Sequence, residues 1–227
     1  AEINYGNVPS IAMRNYYHAF QKHTPEKWGD YIEELTEGLS KVNSSTLYPY
    51  QIVEDVLSGF GSDALTANLF DAQWKSLTNW MENSTQNILP VVDVSGSMYH
   101  DAKPRPIDVS ISLGIYIAER NSGGFANHYM TFSENPELQK VDSSKGISWN
   151  VNQMKHDDWG MNTDLEKVFK TILNSAICHS ISEKDMPSVI LILSDMEFDI
   201  ATSNDITNYK QVQKMYEDNS YKLPKIV

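Results

Sequence analysis

The sequence predicts an α/β domain built on a mostly parallel sheet, preceded by a smaller all-helical module. Residues before about 86 carry apolar side chains at helical spacing, whereas short apolar strands and amphipathic helices alternate from Ile88 onward. Residues 88–93 and 188–195 are both rich in valine, isoleucine and leucine, which is typical of buried parallel strands, and both end in an acid. We therefore expect a helical module at 1–86 and a sheet domain at 87–227, joined by a short linker near 83–87.

Four helices are expected in the first module, over residues 8–23, 24–39, 47–57 and 64–81. Proline stands near the start of the first three, where its fixed backbone angle favours the first helical turn. Apolar residues repeat at three- and four-residue intervals, so one face of each helix should be buried. We expect Leu39, Trp80 and Met81 to belong to these inward faces.

The second domain should contain three helices, an edge hairpin and three further strands. The helices are expected over 107–120, 163–177 and 205–218, and the hairpin pairs 125–132 with 137–141. The last apolar run, 223–227, is predicted to start another strand. A sheet that stops there would leave an unpaired edge, so we expect the protein to continue past Val227 and the domain to be incomplete in this chain.

The composition restricts the classes of function. The 227 residues include 18 basic and 30 acidic side chains, for a formal net charge of -12. Clustered lysine and arginine are needed to bind phosphate backbones, so a broad nucleic-acid surface is disfavoured. No apolar run approaches the ~20 residues of a membrane span. Cys178 is the single cysteine, so an internal disulfide cannot form, which favours a cytoplasmic, reducing environment. We expect its side chain to be buried.

The motif Asp93-x-Ser95-x-Ser97 follows the first predicted strand and indicates a cation site. The acid lies at the end of a buried strand, and the two hydroxyls follow at alternate positions. Gly96 lets the backbone turn sharply enough for both hydroxyls to face one point. Hard oxygen donors that converge are the ligands that Mg²⁺ prefers.

Two later segments supply further oxygen donors in a suitable context. Thr163 lies just before a predicted helix, and Asp195 ends the second buried strand. Together with Asp93, Ser95 and Ser97, they resemble the five positions of the metal-ion-dependent adhesion site (MIDAS) of von Willebrand factor A domains. The resemblance implies a Rossmann-like, doubly wound sheet with an antiparallel edge strand. It also implies a Mg²⁺ or Mn²⁺ ion that leaves one coordination position open for an acidic residue of a protein partner.

The helical module resembles part of the Ro ribonucleoprotein (TROVE) family, in residues 8–13, 31–39, 47–53 and 73–75. The order, helices first and a von Willebrand A domain second, is similar too. The segments 159–160, 194–199 and 221–227 look most like a Ro-like branch of uncharacterised proteins found in viruses and cellular organisms. The resemblance implies an association with RNA or a ribonucleoprotein, and an intracellular or viral setting.

Two alternatives to a protein-binding metal site remain open from the sequence. One is a Ro-like scaffold that associates with RNA. The other is metal-dependent phosphoryl transfer, because Asp93 at a strand end resembles the nucleophile of haloacid-dehalogenase-like phosphatases. That family places a second acid where this chain has Ser95. No general base occupies a motif-like position, so we expect a binding protein and not an enzyme.

Overall fold

A computed structural model describes residues 3–133, 135–156, 165–195 and 205–227, with 205–209 described as backbone alone. Backbone contacts divide the chain into two units. The helical unit comprises Ala1–Asn79 and Ser143–Asn152, and the sheet unit comprises Trp80–Asp142 and Gln153–Val227. The sequence placed one boundary at 86/87 and did not anticipate that 143–152 would join the helical unit.

The described residues form eight α-helices and five strands. The helices are α1 (Ser10–His23), α2 (Pro25–Thr36), α3 (Pro49–Leu57), α4 (Ala64–Lys75), α5 (Pro106–Arg120), α6 (Ile147–Lys155), α7 (Leu165–Cys178) and α8 (Asp205–Asp218). The strands are β1 (Ile88–Val92), β2 (His128–Thr131), β3 (Leu138–Lys140), β4 (Val189–Leu193) and β5 (Lys225–Ile226). The chain is therefore an α/β protein with a mixed five-stranded sheet, as its sequence pattern predicts. Among the described residues, no helix is long and apolar enough to cross a membrane.

An aromatic cluster forms the core of the helical unit. The rings of Tyr5, Phe20, Trp28 and Tyr31 pack with centroid separations of 5.2–5.8 Å, and Trp28 is fully buried. Such tilted and edge-to-face contacts add to the burial energy of each ring. The guanidinium of Arg14 on α1 also forms ion pairs with two adjacent acids of α3. These ion pairs fix the orientation of the two helices against each other.

The expected inward positions of Leu39 and Trp80 are wrong. Leu39 is 75% exposed because Gly38, at a φ of 74°, ends α2 and turns the chain outward. The last predicted helix of the module also stops early. The Ser76 hydroxyl donates to the Ala72 carbonyl at 2.8 Å, and α4 ends at Lys75, which leaves Trp80 outside the helix and 58% exposed. Met81 is half-buried.

The sequence did not predict α6, and its start is fixed by a residue distant in the chain. A carboxylate oxygen of Asp71 accepts a 2.7 Å hydrogen bond from the Ile147 backbone N–H, which otherwise lacks a partner within the helix. Gly146 precedes it at a φ of 80°, and a Cβ there would collide with the same carboxylate. The cap of α6 is thus supplied by α4, and local sequence carries no sign of it.

The sheet has the strand order β3-β2-β1-β4-β5. All neighbouring pairs are parallel except β2 with β3, which form the antiparallel hairpin expected at one edge. In the central pair, Ile88 aligns with Val189 and Val92 with Leu193. The two strands are therefore in register along their whole length, and their carboxyl ends lie at the same edge of the sheet.

Helices cover both faces of the sheet. Leu89 and Val91 of β1 belong to one buried cluster with apolar residues of α7 and α8. Side chains alternate between the faces of a strand, so Val92 points the other way. It meets α5 at Gly114, where a Cβ would lie only 2.5 Å from Val92 Cγ2. The close approach of α5 to β1 therefore depends on this glycine.

The predicted burial of Cys178 is wrong, because the cysteine is exposed. It is the last residue of α7. The buried face of that helix consists of Val168, Phe169, Ile172, Leu173 and Ala176, a set at three- and four-residue intervals that does not include position 178.

Replacing Gly114 by alanine should destabilise the protein. Val92 is β-branched and lies in a central strand, so it has little freedom to move away from the added methyl group. We expect strain of about 1–3 kcal/mol, which exceeds the ~1 kcal/mol that alanine normally gains over glycine in a helix. The midpoint of thermal unfolding of the full chain should therefore fall.

Gly29 offers a matched control for this substitution. It lies inside α2, and a Cβ there would meet no atom within 4 Å. Gly29→Ala should leave the unfolding midpoint unchanged or raise it, since only the helix propensity changes. Equal increases for both variants would contradict the close packing of α5 on β1.

Candidate metal centre

Asp93 is the first residue after β1 and is only 5% exposed. Its backbone N–H donates to the Leu193 carbonyl at 2.9 Å, which extends the pairing of β1 with β4 by one residue. Ligand sites of open parallel sheets lie beyond the carboxyl ends of such strands. The backbone of the sheet therefore holds this acid at the edge where a site is expected.

The carboxylate of Asp93 is held at both of its oxygens. Oδ1 accepts a hydrogen bond of 2.8 Å from the backbone N–H of Ser95, and Oδ2 accepts one of 2.7 Å from the hydroxyl of Ser194. One donor belongs to the loop after β1 and the other follows the last residue of β4. The orientation of the carboxylate is thus fixed by two neighbouring strand ends.

The loop after Asp93 has an accessible stretch, 95–97, between two buried apolar residues. Val94 and Met98 are buried, while Ser95 is half-buried and Ser97 is exposed. The Met98 N–H donates to the Ser95 carbonyl at 3.1 Å, so the chain closes a short 3₁₀ turn over Gly96–Tyr99. The apolar pair anchors the loop, and both serine hydroxyls lie on its accessible side.

The hydroxyl pair passes a simple test for a small divalent cation. Ser95 Oγ and Ser97 Oγ lie 3.0 Å apart. Two adjacent ligands of an octahedral ion with bonds of ~2.1 Å are separated by about 3.0 Å. The spacing of the two oxygens is therefore compatible with adjacent positions around one Mg²⁺ ion.

The structure describes one of the remaining two predicted ligands. Asp195 is the second residue after β4, the strand that pairs with β1, and it is half-buried. It therefore reaches the same edge of the sheet as Asp93. Thr163 lies outside the described residues. Of the five predicted positions, the structure joins the Asp93 carboxylate to the Ser95 backbone and the Ser95 hydroxyl to that of Ser97, and it puts Asp195 two residues beyond the adjacent strand.

Sequence reasoning missed two serines that contact Asp93. Ser194 donates to its carboxylate, and the hydroxyl of Ser110 on α5 lies 2.9 Å from its backbone carbonyl and 3.0 Å from that of Leu193. Ser110 is 2% exposed. A signal was present: Ser110 adjoins Ile111 on the buried face of α5, and a buried hydroxyl on an apolar face needs a partner.

Two basic side chains near the loop have partners in the structure. The guanidinium of Arg105 makes two hydrogen bonds of 2.8 and 2.7 Å to the carboxylate of Asp108, which is fully buried. The ring of His100 lies 3.0 Å from the Ser97 carbonyl through Nδ1. The first pair of contacts lies at the start of α5, and the second lies at the end of the serine loop.

The site is built from hydroxyls as much as from acids. Within the described ranges, no group of three or more histidine, cysteine, aspartate or glutamate side chains is arranged to hold a metal. The oxygen donors at the end of β1 are one carboxylate, bonded to the Ser95 backbone N–H, and two neutral hydroxyls, bonded to each other. Such a set suits a hard cation such as Mg²⁺ and does not suit the softer metals that prefer sulfur or imidazole.

Similarity extends to a viral protein. Uncharacterized protein L728 of Acanthamoeba polyphaga mimivirus is 28% identical over 240 aligned residues. The alignment covers 100% of this chain and 41% of that protein. The chain thus spans less than half the length of this relative.

Two family models match successive parts of the chain. Residues 1–86 match a domain of unknown function, DUF2828. Residues 87–227, which include β1, the serine loop and β4, match a second domain of unknown function, DUF7788. Because this second match covers more than half of the sequence, the chain belongs to the DUF7788 family.

Proposed function

We propose that this protein is a metal-dependent protein-binding module. Asp93, Ser95, Ser97, Thr163 and Asp195 would hold one Mg²⁺ or Mn²⁺ ion at the carboxyl edge of the sheet. When bound, the ion supplies an electrophilic position to which a carboxylate of a protein partner can bind. Other residues of the chain would orient these ligands and keep other charged groups away from the ion.

The observation that carries this proposal is the 3.0 Å separation of the Ser95 and Ser97 hydroxyls beside a fixed carboxylate. The three hydroxyls are neutral and the two acids, Asp93 and Asp195, balance the charge of a divalent ion, so the proposed site is about neutral and has one coordination position open. A carboxylate from outside can fill that position. A metal site of this composition therefore favours capture of an anion.

The net charge of -12 shapes how a partner would bind. An acidic peptide is repelled at long range by this charge, so its affinity must come from the short-range bond to the ion. Salt screens exposed charges more strongly than a coordinate bond. Binding should therefore require the metal and tolerate moderate ionic strength.

The resemblance to von Willebrand A and Ro-like proteins supports the same interpretation. We assign 87–227 to a von Willebrand A-like domain with a doubly wound sheet and a MIDAS-type site, and 1–86 to a Ro- or TROVE-like helical module. The mixed sheet, with helices on both faces, is compatible with this assignment. We place the protein in the cytoplasm, without a membrane partner. Association with RNA through the helical module is the alternative role.

We propose that the protein is not an enzyme. A phosphohydrolase needs a group that activates the nucleophile and a group that protonates the leaving oxygen. Near the serine loop, Arg105 is engaged by Asp108, and the described contact of His100 is with the Ser97 carbonyl. Both oxygens of Asp93 accept hydrogen bonds, which makes this carboxylate a weak nucleophile.

Mg²⁺ or Mn²⁺ should stabilise the wild-type chain against thermal unfolding. A ligand that binds only the folded state adds ~2.7 kcal/mol at a hundred times its dissociation constant. Asp93→Asn should abolish this response while it preserves the shape of the side chain. The unfolding midpoint with added metal and with chelator measures both effects.

Asp101→Asn is the matched control for the metal prediction. Asp101 is an exposed acid shortly after the serine loop, so its substitution makes the same change in net charge. This variant should respond to Mg²⁺ as the wild type does. If Asp93→Asn also responds as the wild type does, the five residues are wrongly assigned.

Peptides selected for binding in Mg²⁺ should share one essential acidic residue. We expect selection from a random peptide display library to enrich a single aspartate or glutamate, because one carboxylate fills the open coordination position. Chelator, Ser95→Ala/Ser97→Ala, or amidation of that acid should each reduce binding at least tenfold. Peptides retained equally in chelator would place the binding surface elsewhere.

Phosphoester hydrolysis provides the test of the enzyme alternative. We expect no turnover of p-nitrophenyl phosphate or of RNA by the purified chain with Mg²⁺ or Mn²⁺. Metal-dependent turnover that disappears in Asp93→Asn would overturn the proposal and favour a phosphohydrolase. Binding of RNA without turnover, unaffected by Asp93→Asn, would instead support the scaffold role.

A further inference from the structure

We infer that Ser110 and Ser194 are positioning residues that set the metal affinity of the proposed site through Asp93. Neither belongs to the five-residue motif, and neither is proposed to touch the ion. The inference rests on the proposed function, because it assigns the source of that site's geometry. It goes further by naming two hydroxyls, from α5 and from the end of β4, that determine how the first acid is presented.

Ser110 acts on the backbone of the two strand ends. Its buried hydroxyl lies within hydrogen-bond distance of the carbonyls of Asp93 and Leu193, at 2.9 and 3.0 Å. These are the first residue after β1 and the last residue of β4. The hydroxyl has one proton and shares it between the two carbonyls. It therefore joins β1 and β4 at the level where the chains leave the sheet.

Ser194 acts on the side chain of Asp93. Its hydroxyl donates to Oδ2 at 2.7 Å, while the Ser95 N–H donates to Oδ1 at 2.8 Å. A carboxylate held at one oxygen alone can rotate about its last side-chain bond, whose torsional preference is broad. With both donors present, the plane of the carboxylate is fixed. The Ser95 bond also fixes the start of the loop that carries the two serine ligands.

The two contacts form one connected device. Ser110 fixes the distance between the ends of β1 and β4. Because of that distance, the hydroxyl of Ser194 after β4 can donate to the carboxylate of Asp93. Removal of either hydroxyl removes no ligand, but it should allow Asp93 and the serine loop to adopt several conformations. Residues that orient metal ligands from behind typically change metal affinity by roughly 10–100-fold when substituted. We expect Ser194→Ala and Ser110→Ala to raise the dissociation constant for Mn²⁺ within this range.

The chain offers a matched control for each serine. Ser112 lies two residues after Ser110 on α5, is 1% exposed, and donates to the Val109 carbonyl of its own helix. Ser188 lies at the opposite end of β4 from Ser194, and its hydroxyl donates to the Asn87 carbonyl. Ser112→Ala removes a hydrogen bond of 3.0 Å and Ser188→Ala an exposed one of 3.3 Å, both to backbone carbonyls and neither in contact with Asp93. Their affinities for Mn²⁺ should equal that of the wild type.

The experiment measures free Mn²⁺ by electron paramagnetic resonance during titration of the full chain and of each variant. Unfolding midpoints in chelator report the stability of the folded chain separately from metal binding. Ser194→Thr keeps the hydroxyl and should restore the affinity to within a few-fold of wild type, which a purely structural role would not require. If Ser110→Ala does not fold, the Ser194 pair of variants decides the question.

The outcomes distinguish this inference from the proposed function. A wild-type chain that binds no Mn²⁺ overturns the proposed function. A wild type that binds, together with Ser110→Ala and Ser194→Ala variants of unchanged affinity, overturns the positioning role and leaves the metal site standing. Equal losses in the two control variants would also overturn it, because they would show a general sensitivity to lost hydroxyls.

Discussion

The parallel pairing of β1 with β4 is the constraint on which the rest of the candidate site depends. Because Val92 aligns with Leu193, the residues that follow each strand leave the sheet side by side. The Asp93 N–H then continues the ladder to the Leu193 carbonyl, and Ser194 is close enough to donate to the Asp93 carboxylate. A shift of one residue in this register would turn the side chains of one strand to the opposite face and separate these groups. The chemistry at the sheet edge is thus a consequence of strand register.

The sequence predicts the type and order of most elements well, because their signals are local. Alternation of apolar runs, prolines at helix starts and the acid at each strand end all lie within a few residues of the structure they determine. The features that it misses arise from contacts distant in the chain. The cap of α6 comes from Asp71, 76 residues away. Residues 143–152 belong to the helical unit, and Trp80 is exposed. Both features depend on where neighbouring segments end, and the spacing of apolar residues does not predict those ends.

The candidate site likewise contains some residues that the sequence predicts and others that it does not. Asp93, Ser95 and Ser97 are predictable because their spacing alone brings them together around one turn, and the structure places the two hydroxyls 3.0 Å apart. Ser110 and Ser194 carry no such local mark. A serine in a helix or at a strand end has many ordinary uses, chiefly hydrogen bonds to nearby backbone. Their role becomes visible only once the sheet topology identifies the groups opposite them as the backbone and the carboxylate of Asp93.

The hydrogen bonds of Asp93 bear on whether such a site favours binding or catalysis. A carboxylate that accepts bonds at both oxygens has part of its negative charge already neutralised by donors. It is a poorer nucleophile than a bare acid would be, while its fixed orientation is what favours a cation at this position. The two serine hydroxyls add no charge at all. On the proposed assignment, Asp93 and Asp195 would together balance the charge of a divalent ion, and the hydroxyls would fix its position. A partner carboxylate would then gain from one open coordination position and not from long-range attraction, which favours reversible capture.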